Sequence, residues 1–267
     1  MSNHHGDFLW YELITSDPDA ASAFYSPMLG WRVADSGMPA FDYRIASTED
    51  SPVAGIMRPP AGASMPSAWL GYIGVDDVDA SVASIRDAGG AVHMEPWDVP
   101  GVGRLAFVAD PQGALFYVMK GESSQESRAF SYDKPRPGHC AWNELATSDP
   151  AAAMDFYCAR FGWVKDGEMD MGPMGAYEFL RHAGRAPAGS PRGAGVLGAI
   201  WPKPAQMPVS AWSFYFRVPD IDAAVAHIED SGGSLFQDPM EIPGGDFALN
   251  GTDPQGAHFA LVGARKA

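Results

Sequence analysis

The sequence predicts an α+β fold of four βαβββ modules, arranged as two tandem domains of similar build. Three observations carry this. First, the chain repeats itself: Trp10-Tyr-Glu-Leu-Ile-Thr-Ser-Asp-Pro returns 132 residues later as Trp142-Asn-Glu-Leu-Ala-Thr-Ser-Asp-Pro. The match extends through Phe24-Tyr25 with Phe156-Tyr157 and Gly30-Trp31 with Gly162-Trp163. Further on, Trp69 matches Trp212 and Asp110-Pro-Gln-Gly113 matches Asp253-Pro-Gln-Gly256, now 143 residues apart, so the second copy carries 11 extra residues in between. Second, each copy repeats internally: Asp17, Asp19, Ala20, Ala23 and Gly30 match Asp77, Asp79, Ala80, Ala83 and Gly90 at a spacing of 60, and Asp149 and Gly162 match Asp220 and Gly233 at 71. Self-similarity at a fixed period marks recurring supersecondary units. Third, each module opens with strand-like alternation and passes to helix-like spacing.

Taken in order, Phe8 to Ile14 alternates around Trp10 and Glu12, which predicts a strand. Asp17-Pro18 supplies a helix cap followed by proline at the first helical position. Ala20, Ala21, Phe24, Tyr25 and Met28 then fall on one helical face, and Gly30 ends the helix. Short strands with turns follow, and Asp-Pro-Gln-Gly makes the turn before the last strand. The expected division is residues 1–120 for the first domain, with modules at about 7–60 and 68–120, and 138–267 for the second, with modules at about 139–203 and 211–263. Residues 121–137, polar and proline-bearing, form the linker. The extra residues of the second copy fall near Arg181-His-Ala-Gly-Arg-Ala-Pro-Ala-Gly-Ser-Pro-Arg-Gly, a loop composition. Its arginines suit either a lid over an anionic ligand or a mobile surface loop.

The chain has 267 residues with 18 basic and 33 acidic side chains, a formal net charge of −15. Such a surface repels phosphate backbones and anionic lipid, which excludes nucleic-acid and membrane-surface binding as expectations. No window approaches the ~18 apolar residues of a membrane span. Met1-Ser-Asn-His-His-Gly-Asp-Phe lacks the apolar stretch of a secretory signal, so a cytoplasmic location is expected. His4 and His5 read as part of a frayed terminus rather than a tag or metal arm. Cys140, on a strand, and Cys158, on a helix, read as reduced packing residues rather than a disulfide framework. His93, His139, His182 and His227 have no visible partner in the pattern and read as surface or capping residues. Nothing in the pattern assigns an oligomeric state.

The modules, the helices opening on Asp and closing on Gly-Trp, and the repeated Asp-Pro-Gln-Gly turn together resemble the vicinal oxygen chelate superfamily, the glyoxalase/bleomycin resistance/dioxygenase group. The resemblance covers nearly the whole chain, and the opening motif is similar to a bacterial two-domain, glyoxalase-related subgroup. It implies two pockets, one per copy. It also implies metal ligands of the His, Gln or Glu type at matching places on the first and last strands of each module. Those places hold Trp10, Leu70, Met57 and Tyr117 in the first copy, and Trp142, Ser213, Ile200 and Ala260 in the second. Zn²⁺, Ni²⁺, Fe²⁺ and Mn²⁺ need imidazole, carboxylate or thiolate, so this set predicts no metal and no other cofactor.

Residues two apart on a strand share a face, so Glu12 follows Trp10 and Glu144 follows Trp142 into the expected pockets. Tyr72 and Tyr215 hold the matching places in modules two and four, and His258 shares the face of Ala260. The binding set expected in the second copy is therefore Trp142, Glu144, Ser213, Tyr215, His258 and Ala260; in the first it is Trp10, Glu12, Tyr72 and Tyr117. Glu12 and Glu144 read as a general base or an acceptor for ligand OH or NH, or else as partners of Arg44 or Arg104. The tryptophans read as a stacking surface or as plain core. Tyr117 and Leu115 give way to Ala260 and His258 in the second copy, so the C-terminal pocket is expected to be the working one, with Glu144 and His258 in hydrogen-bonding reach as tentative catalytic residues. The expected function is metal-free binding of a small, partly apolar or aromatic molecule. The alternatives are a metal-independent isomerase, lyase or hydrolase using Glu144 with His258 or Tyr215, and a metal-dependent glyoxalase-like lyase.

Overall fold

The computed structural model describes residues 3–38, 42–60, 62, 65–132, 134–186 and 194–266. The first module runs β1 (Phe8–Ile14), α1 (Pro18–Leu29), β2 (Arg32–Asp35), β3 (Tyr43–Ser47) and β4 (Pro52–Met57). The second runs β5 (Ala68–Gly74), α2 (Val78–Asp87), β6 (Ala91–Val99), β7 (Gly103–Ala109) and β8 (Leu115–Gly121). The third is β9 (Cys140–Thr147), α3 (Pro150–Phe161), β10 (Trp163–Asp170), β11 (Ala176–His182) and β12 (Val196–Pro202). The fourth is β13 (Ala211–Arg217), α4 (Ile221–Asp230), β14 (Ser234–Leu235), β15 (Met240–Glu241), β16 (Phe247–Thr252) and β17 (His258–Gly263). Each copy makes one sheet, in the orders β2-β3-β4-β1-β5-β8-β7-β6 and β10-β11-β12-β9-β13-β17-β16-β14, with β15 on β16.

The caps are built as the sequence specifies. Asp17 accepts the amides of Asp19 and Ala20 at 3.1 and 3.2 Å, and Asp149 accepts that of Ala152 at 3.0 Å, satisfying helix-start donors that have no partner inside the helix. Gly30 and Gly162 end α1 and α3 in the left-handed conformation, at φ 69° and 65°. The short α2 and α4 differ: the left-handed residue is Gly89 or Gly232, not the repeat-matched Gly90 or Gly233. Gly90 serves close approach instead, because a Cβ there would lie 2.6 Å from the Ala109 carbonyl oxygen.

By packing, the chain divides into two compact units, and each takes a module from each copy. The first comprises Met1–Leu9, Gly71–Ser127 and Asn143–Trp212; the second comprises Trp10–Leu70, Arg128–Trp142 and Ser213–Ala267. Each unit has the same buried polar relay at its centre. In the first, the Trp212 indole donates to the Tyr157 hydroxyl at 3.0 Å, and Tyr157 donates to Asp110 Oδ2 at 3.1 Å. In the second, Trp69 donates to Tyr25 at 3.1 Å and Tyr25 to Asp253 at 3.0 Å. The other oxygen of each aspartate accepts two turn amides: Gln112 and Ala114, or Gln255 and Ala257. The Asp-Pro-Gln-Gly turn is thus more than a turn. Its carboxylate reaches a tyrosine belonging to the other sequence copy, and Trp, Tyr and Asp are the residues the repeat preserves.

Aromatic packing completes each core. In the first unit, Trp163 stacks on Tyr157 at 5.6 Å and on Phe8 at 5.6 Å. In the second, Trp69 packs on Phe216 at 4.9 Å, and Phe24 on Phe259 at 5.6 Å. Cys140 is a buried packing residue whose thiol burial pushes up to about 12, and Cys158 is half-buried; neither is in a disulfide.

The expectation about the terminus of the first unit needs correction. His4 and His5 are tied down rather than frayed: His5 Nε2 bonds the Arg160 carbonyl at 2.6 Å, and the His4 amide donates to Asp7. His182 takes the capping role of the two expected for it, buried rather than at the surface; its Nε2 meets the His5 carbonyl at 2.9 Å, and its Nδ1 accepts the Gly184 amide. His139, in the second unit, is likewise buried, between the Arg128 carbonyl and Thr48. His227 caps the Phe24 carbonyl at 2.8 Å, and His93 is exposed, as expected. Arg185, from the extra loop, does not await an anion. It grips the buried Asp7 with two bonds of 2.9 and 2.6 Å and also pairs with Glu126. Arg181 pairs with Asp166 at 3.4 Å. Residues 187–193 of that loop lie outside the described residues.

Candidate functional site

In the second copy, β9 carries Glu144 on a sheet face shared with its neighbour β12 and, beyond it, β11. Glu144 pairs in register with Ala199, Ala146 with Trp201, and Phe179 with Ala199. The Tyr177 hydroxyl donates to Glu144 Oε2 at 2.5 Å, a short charge-assisted bond. Tyr177 lies 5.7 Å from Phe179 and 6.5 Å from Trp201, ring to ring. The first unit therefore holds a carboxylate, a phenol and two further aromatic rings on one sheet face. Tyr177, Phe179 and Trp201 were missing from the sequence-derived set. The repeat spacing of 132 puts Gly175 opposite Tyr43, and only the strand register brings Tyr177 to the matching place.

The same register corrects one assignment. Met57 pairs with Ile14 and Trp201 with Ala146, so the counterpart of Met57 is Trp201. Ile200 matches Ile56, and both are fully buried. A one-residue slip moves a strand side chain to the opposite face, which is why spacing alone misplaced it.

The remaining second-copy residues lie in the second unit. Tyr215, Ala260 and Val262 form a buried cluster against which Trp142, Ala141, Ile242 and Ala248 pack. Asn250 donates to the Tyr215 hydroxyl at 3.2 Å. Ser213 Oγ is 3.4 Å from His258 Nδ1, and Phe236 stacks on the His258 ring at 5.5 Å. Burial pushes His258 down to about 4, so its imidazole is neutral at physiological pH rather than poised there. The structure thus gives Glu144 to Tyr177 and His258 to Ser213 and Phe236, in different units.

In the first copy, the Trp10 indole donates to the Tyr43 hydroxyl at 2.8 Å, beside the buried Glu12, which pairs in register with Gly55. Arg44 pairs with Asp19 and Asp42, and Arg104 with Asp79 and Asp98, so neither arginine is committed to a pocket glutamate. Within the first unit, Tyr72 stacks on Tyr117 at 4.3 Å and 14°, and Tyr117 on Phe107 at 4.7 Å. The residues in register at the matching places of the second copy are Tyr215, Ala260 and Asn250.

Gly55 has a reason to lack a side chain: a Cβ there would lie 2.1 Å from the Tyr43 hydroxyl and 3.1 Å from the Trp10 indole nitrogen. In the second copy, Ala199 stands at that place and the tyrosine turns to the glutamate. Gly55→Ala should therefore break the Trp10–Tyr43 bond and cost about 1–2 kcal/mol in denaturant unfolding. An unchanged unfolding midpoint would show that the bond contributes nothing.

The eight places where relatives of this type would hold a metal do not fit one. Leu70, Met57 and Ala260 lack usable donors, as does Trp201 in the place that spacing gave to Ile200, and among the described residues no three His, Cys, Asp or Glu side chains converge. A shallow groove of about 250 Å³ in the first unit, lined by His5, Asp76, Ser84, Arg160 and Phe161, contains none of the expected site residues. Among the described residues no helix is long and apolar enough to cross a membrane.

Comparison with known proteins agrees with the fold. The profile of the glyoxalase/bleomycin resistance protein/dioxygenase superfamily matches residues 7–118 and 136–261. The chain is 34% identical to "Putative glyoxylase CFP32" of Mycobacterium tuberculosis, over 95% of this chain and 93% of that one. It is 33% identical to the anthracycline biosynthesis protein DnrV of Streptomyces peucetius, over 96% and 93%. A Mn(II)-bound glyoxalase from Novosphingobium aromaticivorans superposes with a TM-score of 0.65 at 19% identity, covering 98% of this chain and 83% of that one. The 2,2',3-trihydroxybiphenyl 1,2-dioxygenase of Sphingomonas wittichii gives 0.62 at 12% identity, over 98% and 90%.

Proposed function

The chain belongs to the glyoxalase/bleomycin resistance protein/dioxygenase superfamily, and from that premise we propose that it binds a small, flat, partly aromatic molecule without the family's metal, in the site of its C-terminal copy. The observation that carries this reading is the Tyr177–Glu144 contact at 2.5 Å, on a face that also presents Phe179 and Trp201. Aromatic walls give a flat ligand area and orientation, and a carboxylate–phenol pair recognises its polar edge. Relatives named for anthracycline biosynthesis, at 32–33% identity over nearly the whole chain, support a polycyclic aromatic ligand. The glyoxalase and dioxygenase structures, all under 25% identical, support the fold and not the chemistry.

A second reading, metal-independent proton transfer by an isomerase or lyase, is favoured by the same contact. A short Tyr–Glu bond can hold a proton between two oxygens next to a bound substrate. In that reading Tyr177, rather than His258, partners Glu144, since His258 meets Ser213 and Phe236 and its burial leaves it a weak base.

The test is a thermal-shift screen of anthraquinones and naphthols, followed by titration. A ligand at 100-fold its Kd adds about 2.7 kcal/mol, a rise of about 5–10 °C for a chain of this size. EDTA should leave that rise unchanged. Glu144→Gln and Tyr177→Phe should each weaken binding about tenfold, and Glu12→Gln should not. Binding that vanishes with EDTA and returns with Mn²⁺ would overturn the metal-free reading. Loss confined to Glu12→Gln would move the site to the first copy.

A further inference from the structure

The Trp201 indole nitrogen is buried and has no hydrogen-bond partner among the described residues. Indole N–H is donor only, and a buried donor without an acceptor is costly, so native proteins rarely leave one. Trp201 shares a sheet face with Glu144 through the pairs Ala146–Trp201 and Glu144–Ala199 on β9 and β12. Its ring is 6.5 Å from Tyr177 and tilted by 44°. The Tyr177 hydroxyl, on the same face, donates to Glu144 and does not serve it.

The first copy shows what the alternative looks like. There the corresponding place holds Met57, which has no donor, and the pocket indole, Trp10, is satisfied by the Tyr43 hydroxyl at 2.8 Å. Trp201 is therefore a donor that the second copy adds at a place where the first copy has none.

Resting on the aromatic-ligand reading above, we propose that Trp201 is a ligand-binding residue whose N–H donates to a carbonyl oxygen, which makes the ligand a flat aromatic ketone or quinone rather than a hydrocarbon or phenol alone. The ring plane lies against the Tyr177 and Phe179 side of the site, and the carbonyl on its edge meets the indole nitrogen. The indole nitrogen is closed to solvent in the free protein, so the side chains that cover it must move aside as the carbonyl reaches it, and binding then supplies the bond that the fold omits. A site built around a buried donor discriminates strongly against a ligand that lacks the acceptor, because such a ligand leaves the donor unpaired and dry.

Two probes of matched shape and charge test this: 2-(aminomethyl)-9,10-anthraquinone and 2-(aminomethyl)anthracene, titrated calorimetrically into the full chain. The wild type should bind the quinone at least tenfold more tightly. Trp201→Phe, which keeps an aromatic ring and deletes only the donor, should erase that preference while leaving anthracene affinity within about twofold. With ¹⁵N-labelled indole, the Trp201 N–H resonance, identified by its absence in Trp201→Phe, should move downfield on adding the quinone and not on adding the anthracene. A quinone preference that survives Trp201→Phe, or an N–H resonance unmoved by the quinone, overturns this role while leaving the aromatic-ligand reading intact. Equal loss of both probes in the variant assigns Trp201 to packing and also overturns it. Failure of the wild type to bind either probe overturns the aromatic-ligand reading, and this inference with it.

Discussion

Asp110→Ala and Asp253→Ala should each destabilise the protein by about 3–5 kcal/mol, among the largest effects open to a single substitution. Each carboxylate accepts two backbone amides through one oxygen and a buried tyrosine through the other, so its removal leaves three donors without a partner. Unpaired buried donors cost about 1–3 kcal/mol each, offset in part by relaxation and by water entering the gap. For a chain of this size that corresponds to a fall of about 10 °C in Tm, read by calorimetry. Asn in place of Asp should recover part of the loss, since its amide oxygen can still accept the turn amides. Tyr157→Phe and Tyr25→Phe should cost less, because each leaves one indole donor and one carboxylate oxygen unpaired. Burial pushes both aspartates above the usual carboxylate range, against the amide and tyrosine bonds that pull them down. A carboxyl raised in the fold contributes stability that is fully present below its unfolded value of about 3.8 and is lost as pH rises through the folded value. These two groups are therefore held charged at neutral pH at some cost, and the relay's bonds offset it. If either alanine variant melts within about 2 °C of wild type, the relay is not what holds the modules of its unit together.

Arg185→Ala should cost about 3–4 kcal/mol at neutral pH, because it strands the buried Asp7 carboxylate without its counter-charge. The pH dependence should also change sign. In the wild type, burial acts to raise Asp7, but the hydrogen bonds and charge of Arg185, together with the His4 amide and His182, outweigh it and hold the carboxyl below its ordinary value. That stability is present above about pH 3.8 and is lost as pH falls through the lowered folded value. Without Arg185, burial dominates and the carboxyl rises, so acidification from neutral pH should relieve the variant instead. The Tm difference between wild type and Arg185→Ala, followed from pH 7 to pH 4, should shrink. A difference constant across that range would show that Asp7 does not depend on Arg185 for its charge. The burial of His258 adds a separate acid-side loss: its contribution is present above about pH 6.5 and declines as pH falls toward about 4.

The repeat, the caps and the turns were legible in the sequence because each is local. An aspartate before a proline caps a helix wherever it stands, and a left-handed glycine ends one, so α1 and α3 could be placed from Asp17, Gly30, Asp149 and Gly162. Alternation put Glu12 and Glu144 on the faces of Trp10 and Trp142, and net charge and cysteine spacing restricted the functional classes.

What the sequence could not decide was pairing between distant elements, which depends on register and on which modules pack together. Spacing put Ile200 opposite Met57, whereas the β9–β12 register puts Trp201 there, and that one-residue difference hid the orphaned indole. Tyr177 was passed over because nothing in its neighbourhood signals that its hydroxyl reaches back 33 residues to Glu144. Arg185 looked available for an anion because its partner, Asp7, lies 178 residues away. The aspartate of each Asp-Pro-Gln-Gly turn looked complete within its turn, yet its second oxygen is satisfied by a tyrosine of the other copy. By itself the sequence determined the modules, their order and the kinds of side chain available. Only the tertiary structure decided which donor meets which acceptor, because a hydrogen bond is fixed by ångström-scale distance and angle, and those are set by packing rather than by chain proximity.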